Sequence, residues 1–199
     1  MTPALLMAAS LFILSSSITP GPNHTMLMTS GVNFGFRRSL RHLLGVQVGF
    51  AILLSSVGLG LHAVLDRVPQ FYTLLRYLGS AYMLWMAWKL ATTRAVLTEP
   101  LFTQQPMGFW GALAFQWVNP KAWVMALTFM STYMAPGALL LEILLLALLF
   151  MLLSTPCSAF WLGFGQAMRR LLQNPSHLRL FNVTMALALV ASLYPMLAV

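Results

Sequence analysis

The chain has 199 residues, a mean hydropathy of +0.81, 59% hydrophobic residues and only 7% charged ones. So few polar side chains cannot cover a soluble globule, and lipid must therefore be the solvent for most of the surface. The formal net charge of +8 could suggest nucleic-acid binding, but the basic residues are scattered through short loops and we expect no nucleic-acid partner. The composition predicts an integral membrane protein.

Hydropathy and helix-breaking residues predict transmembrane helices, because a β-barrel would instead show alternating segments of about ten residues. Six spans are predicted, over residues 3–28, 43–63, 71–90, 108–135, 138–167 and 180–198. Each is long enough to cross roughly 30 Å of hydrocarbon. The predicted fold class is an all-α integral membrane protein in which residues 1–199 form a single transmembrane domain.

The first predicted span is interrupted by the motif "ITPGPN" at residues 18–23. Proline lacks an N–H group, so Pro20 and Pro22 leave the carbonyls four residues earlier without their usual helical partners. In hydrocarbon an unpaired polar group costs several kcal/mol, and these carbonyls must find other partners. Thr19 before Pro20 is typical of an N-cap followed by proline at the first helical position. We therefore expect the second half of this broken helix to begin at Pro20.

Basic residues predict the orientation of the spans. The loops after spans one, three and five contain Arg37, Arg38, Arg41, Lys89, Arg94, Arg169, Arg170 and Arg179, whereas the opposite side has Arg67 alone. By the positive-inside rule the arginine-rich loops are cytoplasmic, which places both termini outside. Two three-helix repeats, approximately residues 1–95 and 106–199, would then have inverted orientations.

The fourth predicted span is interrupted by "WVNPKAW" at residues 117–123, and its Pro120 follows Pro20 by 100 residues. Asn119 before Pro120 is again typical of an N-cap followed by proline. Paired proline interruptions at matching positions of two halves indicate a secondary transporter with its site at the repeat interface. Two helix N-termini would direct positive dipole ends into the bundle, where an anion can bind.

Lys121 is the most informative residue of the second break. It lies 13 residues after Gly108 and 14 before Ala135, roughly 20 Å from either end of the span and too deep to reach a headgroup. No acidic residue is near in sequence, because the chain has only Asp66, Glu99 and Glu142. The pattern indicates a site whose counterion arrives with the substrate, and a carboxylate is the obvious candidate.

These features predict a binding site for a carboxylate, beside Lys121 and the helix N-termini. His24 can accept or donate a proton near neutral pH. For His24, a role as a hydrogen-bonded packing residue is the alternative.

Further residues have two interpretations each. Trp117, Trp123 and Tyr82 could line a side-chain pocket, although aromatic core packing is favoured for each. Gln47 lies in "GVQVG", where Gly45 and Gly49 form a small-xxx-small face typical of close helix packing. Exposure of Gln47 to a cavity is the less favoured interpretation.

Three segments carry a resemblance to a known family. They are "ITPGPNHTMLMTSGVNFGFRRSLRHLLGVQVG", "LRYLGSAYMLWMAWK" and "FQWVNPKAW", and they resemble the lysine exporter (LysE) family, particularly its homoserine, threonine and cysteine exporting branch (RhtB). The resemblance implies a multi-pass bacterial inner-membrane exporter of amino acids or close derivatives, driven by the proton motive force. By position, Pro20, Gly21, Pro22, Asn23, Asn119, Pro120 and Lys121 match its signature motifs, and Gly79, Tyr82 and Lys89 match its third-span pattern.

The function predicted from the residues and the resemblance together is secondary export of small amino acids or their derivatives, with protons as coupling ions. For such a substrate we expect the carboxylate beside Lys121 and the helix N-termini, and the ammonium at freed carbonyls such as those of Ser16 and Gln116, with Asn23 nearby. Lys121 and His24 are the candidates for proton coupling.

A phosphate-binding GxxxxGK[ST] loop is missing, and a membrane enzyme is disfavoured because HExxH, cysteine pairs and paired intramembrane carboxylates are missing too. Efflux of another small solute or a metal ion is the alternative, although the 4 His are scattered and Lys121 would repel a cation. No cofactor is expected, and a homo-oligomer is left open.

Overall fold

The computed structural model describes residues 2–60, 69–92, 105–135, 137–169, 171–172 and 174–191. All regular structure in these residues is helical, which confirms the all-helical prediction. The helices are α1 Pro3–Ile18, α2 Pro22–Phe34, α3 Leu40–Gly58, α4 Pro69–Thr92, α5 Phe109–Val118, α6 Pro120–Tyr133, α7 Leu140–Met168 and α8 Pro175–Ala191, with a short 3-10 helix Arg37–Ser39 before α3.

Two helices of the described residues are long and apolar enough to cross a membrane by themselves. They are Arg37–Gly58, which includes the 3-10 turn, and Leu140–Met168. The pair α1 and α2 also passes this test together, with a bend of 55° between its halves. The six-span arrangement stays a prediction. Arg67, Arg94 and Arg170, used above for topology, and the C-terminal ends of the second and sixth predicted spans lie outside the described residues.

The first predicted span was placed too short at its C-terminal end. It was expected to end at residue 28, but α2 continues to Phe34. Gly35 ends it with φ of 81°, a left-handed conformation, while its N–H donates to the Gly31 carbonyl. Glycine adopts this conformation without a steric penalty, which makes it a common helix terminator. The span was ended at Met28 because polar residues follow it, but the helix continues through them toward the arginine-rich segment.

The prediction that Thr19 caps a helix beginning at Pro20 is wrong. The second half begins at Pro22 with Gly21 as its N-cap, and Thr19 is instead the C-cap of α1. The Thr19 hydroxyl donates back to the Ser15 carbonyl at 2.7 Å. A residue before proline is driven toward extended backbone, and with two prolines this applies to both Thr19 and Gly21. The chain therefore stays extended until the second proline has passed.

The corresponding prediction for the second break is confirmed. Val118 ends α5, Asn119 is the N-cap of α6, and Pro120 is its first residue. The Asn119 Oδ1 accepts a hydrogen bond from the Lys121 backbone N–H at 3.1 Å. With only one proline, one extended residue suffices to separate the two half-helices.

Glycines allow α3 to approach α5 closely, as the small-xxx-small pattern predicts. A Cβ atom on Gly49 would lie 2.7 Å from the Leu113 Cα, and one on Gly45 would overlap the Phe109 carbonyl oxygen. Both glycines therefore pack directly against backbone.

A second close crossing joins α2 to α7. A Cβ atom on Gly165 would overlap the Met28 carbonyl oxygen, and one on Gly31 would overlap the Leu162 carbonyl oxygen. Because both obstacles are backbone atoms, no side-chain rotation can relieve them, and the helices themselves would have to separate.

We expect Gly165→Ala to destabilise the protein by about 1–3 kcal/mol, the usual effect of overpacking a tight contact. Gly163→Ala is the matched control in the same helix, because a Cβ there would meet only the Phe36 ring at 3.9 Å. Thermal unfolding in detergent should show a lower midpoint for Gly165→Ala alone. Equal unfolding midpoints for the two variants would contradict the close contact between α2 and α7 at Gly165.

The largest core cluster lies between α1, α3, α6 and α7. The Phe150 ring lies 4.7 Å from the Phe50 ring and 5.1 Å from the Phe129 ring, measured between centroids. Trp123 belongs to this core, and its indole N–H donates to the Trp117 carbonyl at 2.8 Å. This agrees with the core-packing interpretation of both tryptophans.

Candidate functional site

A cavity lies where both helix breaks meet α3 and α7. Its polar lining consists of Ser17, Gly21, Asn23, His24, Gln47, Asn119, Lys121, Ser154 and Ser158. The space within it that is open to the centre of a water-sized sphere is about 40 Å³.

The Lys121 ammonium lies at the first break, far from its own position in sequence. Its Nζ donates to the Thr19 carbonyl at 2.7 Å and lies 3.5 Å from the Pro20 carbonyl oxygen. These carbonyls follow the last turn of α1, the end at which a helix dipole favours a cation. Gly21 leaves room for the lysine, because a Cβ there would lie 2.8 Å from the Lys121 Cδ.

No carboxylate contacts Lys121 among the described residues. Their one acidic residue is Glu142, and its Oε2 accepts a hydrogen bond from the Leu139 N–H at 3.0 Å where α7 begins. The Lys121 charge is thus held by neutral carbonyls. Asp66 and Glu99 lie outside the described residues.

His24 shares an acceptor with Lys121. Its Nδ1 lies 3.0 Å from the Thr19 carbonyl oxygen, and since a carbonyl only accepts, Nδ1 is the donor. In the neutral ring Nε2 is then an acceptor. The His24 ring stacks on Trp161 with centroids 5.9 Å apart. Both candidates for proton coupling therefore contact the same oxygen, and His24 is also the hydrogen-bonded, packed residue of the alternative interpretation.

A pair of amide side chains joins the two broken helices. Asn23 donates to the Gln116 Oε1 at 2.8 Å, and Gln116 donates back to the Asn23 Oδ1 at 3.1 Å. Gln116 also donates to the Ala112 carbonyl at 2.9 Å and is completely buried. The structure thus brings together two sequence-predicted residues that are 93 positions apart, although Gln116 lies behind the cavity lining.

The two helix N-termini at the site differ. Asn119 caps α6 by accepting from the Lys121 backbone N–H, whereas Gly21 offers α2 no side-chain cap. Because the first N–H groups of a helix have no intrahelical acceptor, those of Asn23 and His24 are available to an anion at the start of α2. Only this terminus combines free N–H groups with the positive end of a helix dipole.

Comparison with known proteins identifies the family. The family model described as LysE type translocator matches residues 14–192. The chain belongs to the LysE family. The match includes both helix breaks and all the cavity residues named above, and it confirms the resemblance found in the sequence.

Curated relatives of this LysE-family chain are named cysteine/O-acetylserine efflux proteins. Those of Escherichia coli (strain K12) and Salmonella typhi are 34% identical over 193 residues, which cover 96% of this chain and 96% of each relative. The protein of that name from Klebsiella pneumoniae is 35% identical over 136 residues, 68% of each chain. No solved structure matches the chain. The family and these relatives indicate a bacterial membrane transporter.

Other sequence-predicted residues of this LysE-family chain lie around the cavity and not in its wall. Pro20, Pro22 and Pro120 shape the breaks without lining the cavity. The Ile18 carbonyl accepts from the Trp161 indole N–H at 3.3 Å, so one carbonyl freed by proline has found a side-chain partner.

Tyr82 lies outside the cavity lining. Its ring packs 5.6 Å from Phe115 and 5.5 Å from Trp85 in a separate apolar cluster. Lys89, the other lysine of the chain, is exposed near the end of α4 with its Nζ 4.7 Å from the Trp85 ring. A substrate contact by Tyr82 stays a prediction.

Sequence reasoning missed most of one cavity wall. Gln47 of α3 donates to the Ser158 Oγ at 2.8 Å and accepts from the Ser154 hydroxyl at 2.8 Å. Gln47 therefore lines the cavity, the less favoured of its two interpretations. The spacing of Ser154 and Ser158, one turn apart in a largely apolar helix, was the available signal.

Proposed function

We propose that this protein exports small polar amino acids or their neutral derivatives, of the cysteine and O-acetylserine kind, across the bacterial inner membrane. The observation that carries the proposal is Lys121, a cation in a cavity between two broken helices, whose ammonium has only neutral carbonyls as partners among the described residues. The efflux relatives support the substrate class. Export is secondary and coupled to protons.

The substrate carboxylate binds between Lys121 and the uncapped N-terminus of α2. A carboxylate there meets the ammonium, the free N–H groups of Asn23 and His24 and the positive end of the α2 dipole. Binding draws Lys121 away from the Thr19 carbonyl, to which its Nζ donates at 2.7 Å. The ligand thus supplies the anion that the surrounding residues do not.

The substrate ammonium contacts the neighbouring end of α1. The sequence had suggested the carbonyls of Ser16 and Gln116, but neither residue lines the cavity, and the Gln116 carbonyl accepts from the Asn119 N–H at 3.4 Å. Ser17 does line it, is 3% exposed, and its hydroxyl has no partner among the described residues. We assign the ammonium to the Ser17 hydroxyl oxygen, with Asn23 beside it.

The architecture we propose is a pair of inverted three-helix repeats. Helices α1 and α2 pack on α7, α5 and α6 pack on α3, and α4 packs on α8. Exchanging the first half with the second maps this set of helix pairings onto itself, which supports the arrangement. Alternating access then proceeds by rocking one repeat against the other around the cavity.

Both termini are proposed to be periplasmic, from the asymmetry of the basic loops. A reporter that is active only in the periplasm should be active when fused after Val199, and a reporter that is active only in the cytoplasm should be inactive there. The opposite pair of results would show that the C-terminus is cytoplasmic and would contradict the proposed topology.

Proton coupling is proposed to use Lys121, with His24 as the second candidate. Both donate to the Thr19 carbonyl oxygen, so protonation of one changes the hydrogen bonding of the other. A bound carboxylate favours the protonated ammonium, and its departure removes that support. Substrate occupancy and the protonation of Lys121 are therefore linked at a single group.

Transport assays test this function. Proteoliposomes preloaded with unlabelled cysteine should take up labelled cysteine and O-acetylserine by exchange, and everted vesicles should accumulate them when respiring, until a protonophore is added. Absence of exchange for every amino acid in a panel would overturn the proposal. A metal-dependent growth phenotype without amino-acid exchange would favour metal efflux, although no group of three or more His, Cys, Asp or Glu residues comes together within the described residues.

A further inference from the structure

The wall formed by Gln47, Ser154 and Ser158 has more hydrogen-bonding capacity than its internal bonds use. Gln47 donates one amide hydrogen to Ser158 and accepts one hydrogen bond from Ser154. A glutamine side chain has a second amide hydrogen and a second acceptor position. The Ser158 oxygen accepts from Gln47, and its own hydroxyl hydrogen has no recorded acceptor in the described part of the chain.

All three residues are almost completely buried, and all three line the cavity. A buried donor without a partner is costly, so an occupant of the cavity must complete these bonds. If these three side chains only linked α3 to α7, they would not need unused hydrogen-bond donors at the surface of a cavity. Water can complete these bonds, and a polar ligand group can replace that water.

This wall belongs to different helices from those that hold Lys121. Gln47 is in α3 and the serines are in α7, whereas Lys121 is the second residue of α6 and contacts the end of α1. Close to the serines the wall becomes apolar, with Phe50 and Phe150 also in the lining. The cavity thus offers a charged region for a backbone carboxylate and a separate neutral polar region.

We propose that Gln47, Ser154 and Ser158 form the side-chain subsite, which recognises a hydroxyl, thiol or ester oxygen on the substrate. This rests on the proposed function, because it assumes that an amino acid binds at Lys121. A site built to hydrogen-bond a polar group rejects the analogue that lacks it, since its own buried groups are then left unpaired. The subsite therefore selects polar over apolar side chains of equal size.

Competition during exchange tests the subsite. Exchange of labelled cysteine into proteoliposomes is inhibited with L-serine or with L-2-aminobutyrate, in which a methyl group replaces the hydroxyl. We expect serine to compete at least about ten-fold better in the wild type, the effect of one hydrogen bond. Ser158→Ala and Gln47→Met should bring this ratio close to one, with competition by 2-aminobutyrate little changed.

Thr155→Val is the matched control, because the Thr155 hydroxyl donates to the Met151 carbonyl of its own helix at 2.6 Å and lies outside the cavity lining. It should keep the wild-type ratio. If one of the two variants fails to fold, the competition ratios of the other variant and of the wild type still test the subsite. A wild-type ratio near one, or a ratio unchanged in a folded Ser158→Ala or Gln47→Met protein, overturns the subsite, whereas absence of all exchange overturns the proposed function instead.

Discussion

Lys121→Met should abolish amino-acid export while leaving the protein folded. Methionine keeps much of the length of the lysine stem but has no charge, so the carboxylate loses its cationic partner. Truncating one member of a buried, hydrogen-bonded charge pair costs about 2–5 kcal/mol, a factor of roughly 30 to several thousand in affinity. Because the Lys121 Nζ contacts carbonyls and no carboxylate among the described residues, its loss leaves no buried counterion unpaired, and we expect stability to change little.

Lys89→Met is the control, since it makes the same substitution at an exposed lysine outside the cavity lining. Export should be measured from cells and as exchange in proteoliposomes, with membrane protein levels matched between variants. Normal exchange by Lys121→Met would show that Lys121 does not bind the substrate.

Lys121→Arg should separate binding from coupling. Guanidinium keeps the positive charge but stays protonated at any physiological pH. We therefore expect exchange to be retained, with an altered affinity because Gly21 leaves little space beside the side chain. Accumulation driven by a proton gradient should be lost, since the step that releases the proton is blocked.

The two assays must be run on the same Lys121→Arg preparation, exchange without a gradient and accumulation with one. His24→Gln provides the comparison, because glutamine can donate to the Thr19 carbonyl but does not titrate. If Lys121→Arg concentrates substrate against a gradient and His24→Gln does not, the coupling proton belongs to His24.

The sequence was sufficient to predict features set by local chemistry. The helical class follows from composition, and the second break follows from Asn119 and Pro120, whose cap geometry depends on neighbouring residues alone. The packing of Gly45 and Gly49 follows from their spacing on one face of α3. The first break was misassigned because two prolines act together, and the second of them determines where α2 begins.

The partners of Lys121 could not be predicted from local sequence. Its acceptor is a carbonyl 102 residues away, and the contact exists only because two half-helices meet at their breaks. The polar wall was missed for a related reason. Ser154 and Ser158 resemble ordinary small residues of a transmembrane helix until Gln47 is placed opposite them by the packing of α3 on α7.

The central claim is that the substrate is held by its carboxylate at Lys121. The most direct measurement compares L-cysteine with L-cysteinamide and with cysteamine as inhibitors of labelled cysteine exchange in proteoliposomes. These two analogues keep the thiol and the amine but have no carboxylate. Inhibition by cysteine alone, with the analogues weaker by roughly 30-fold or more, is the predicted result, and equal inhibition by all three compounds would contradict the account.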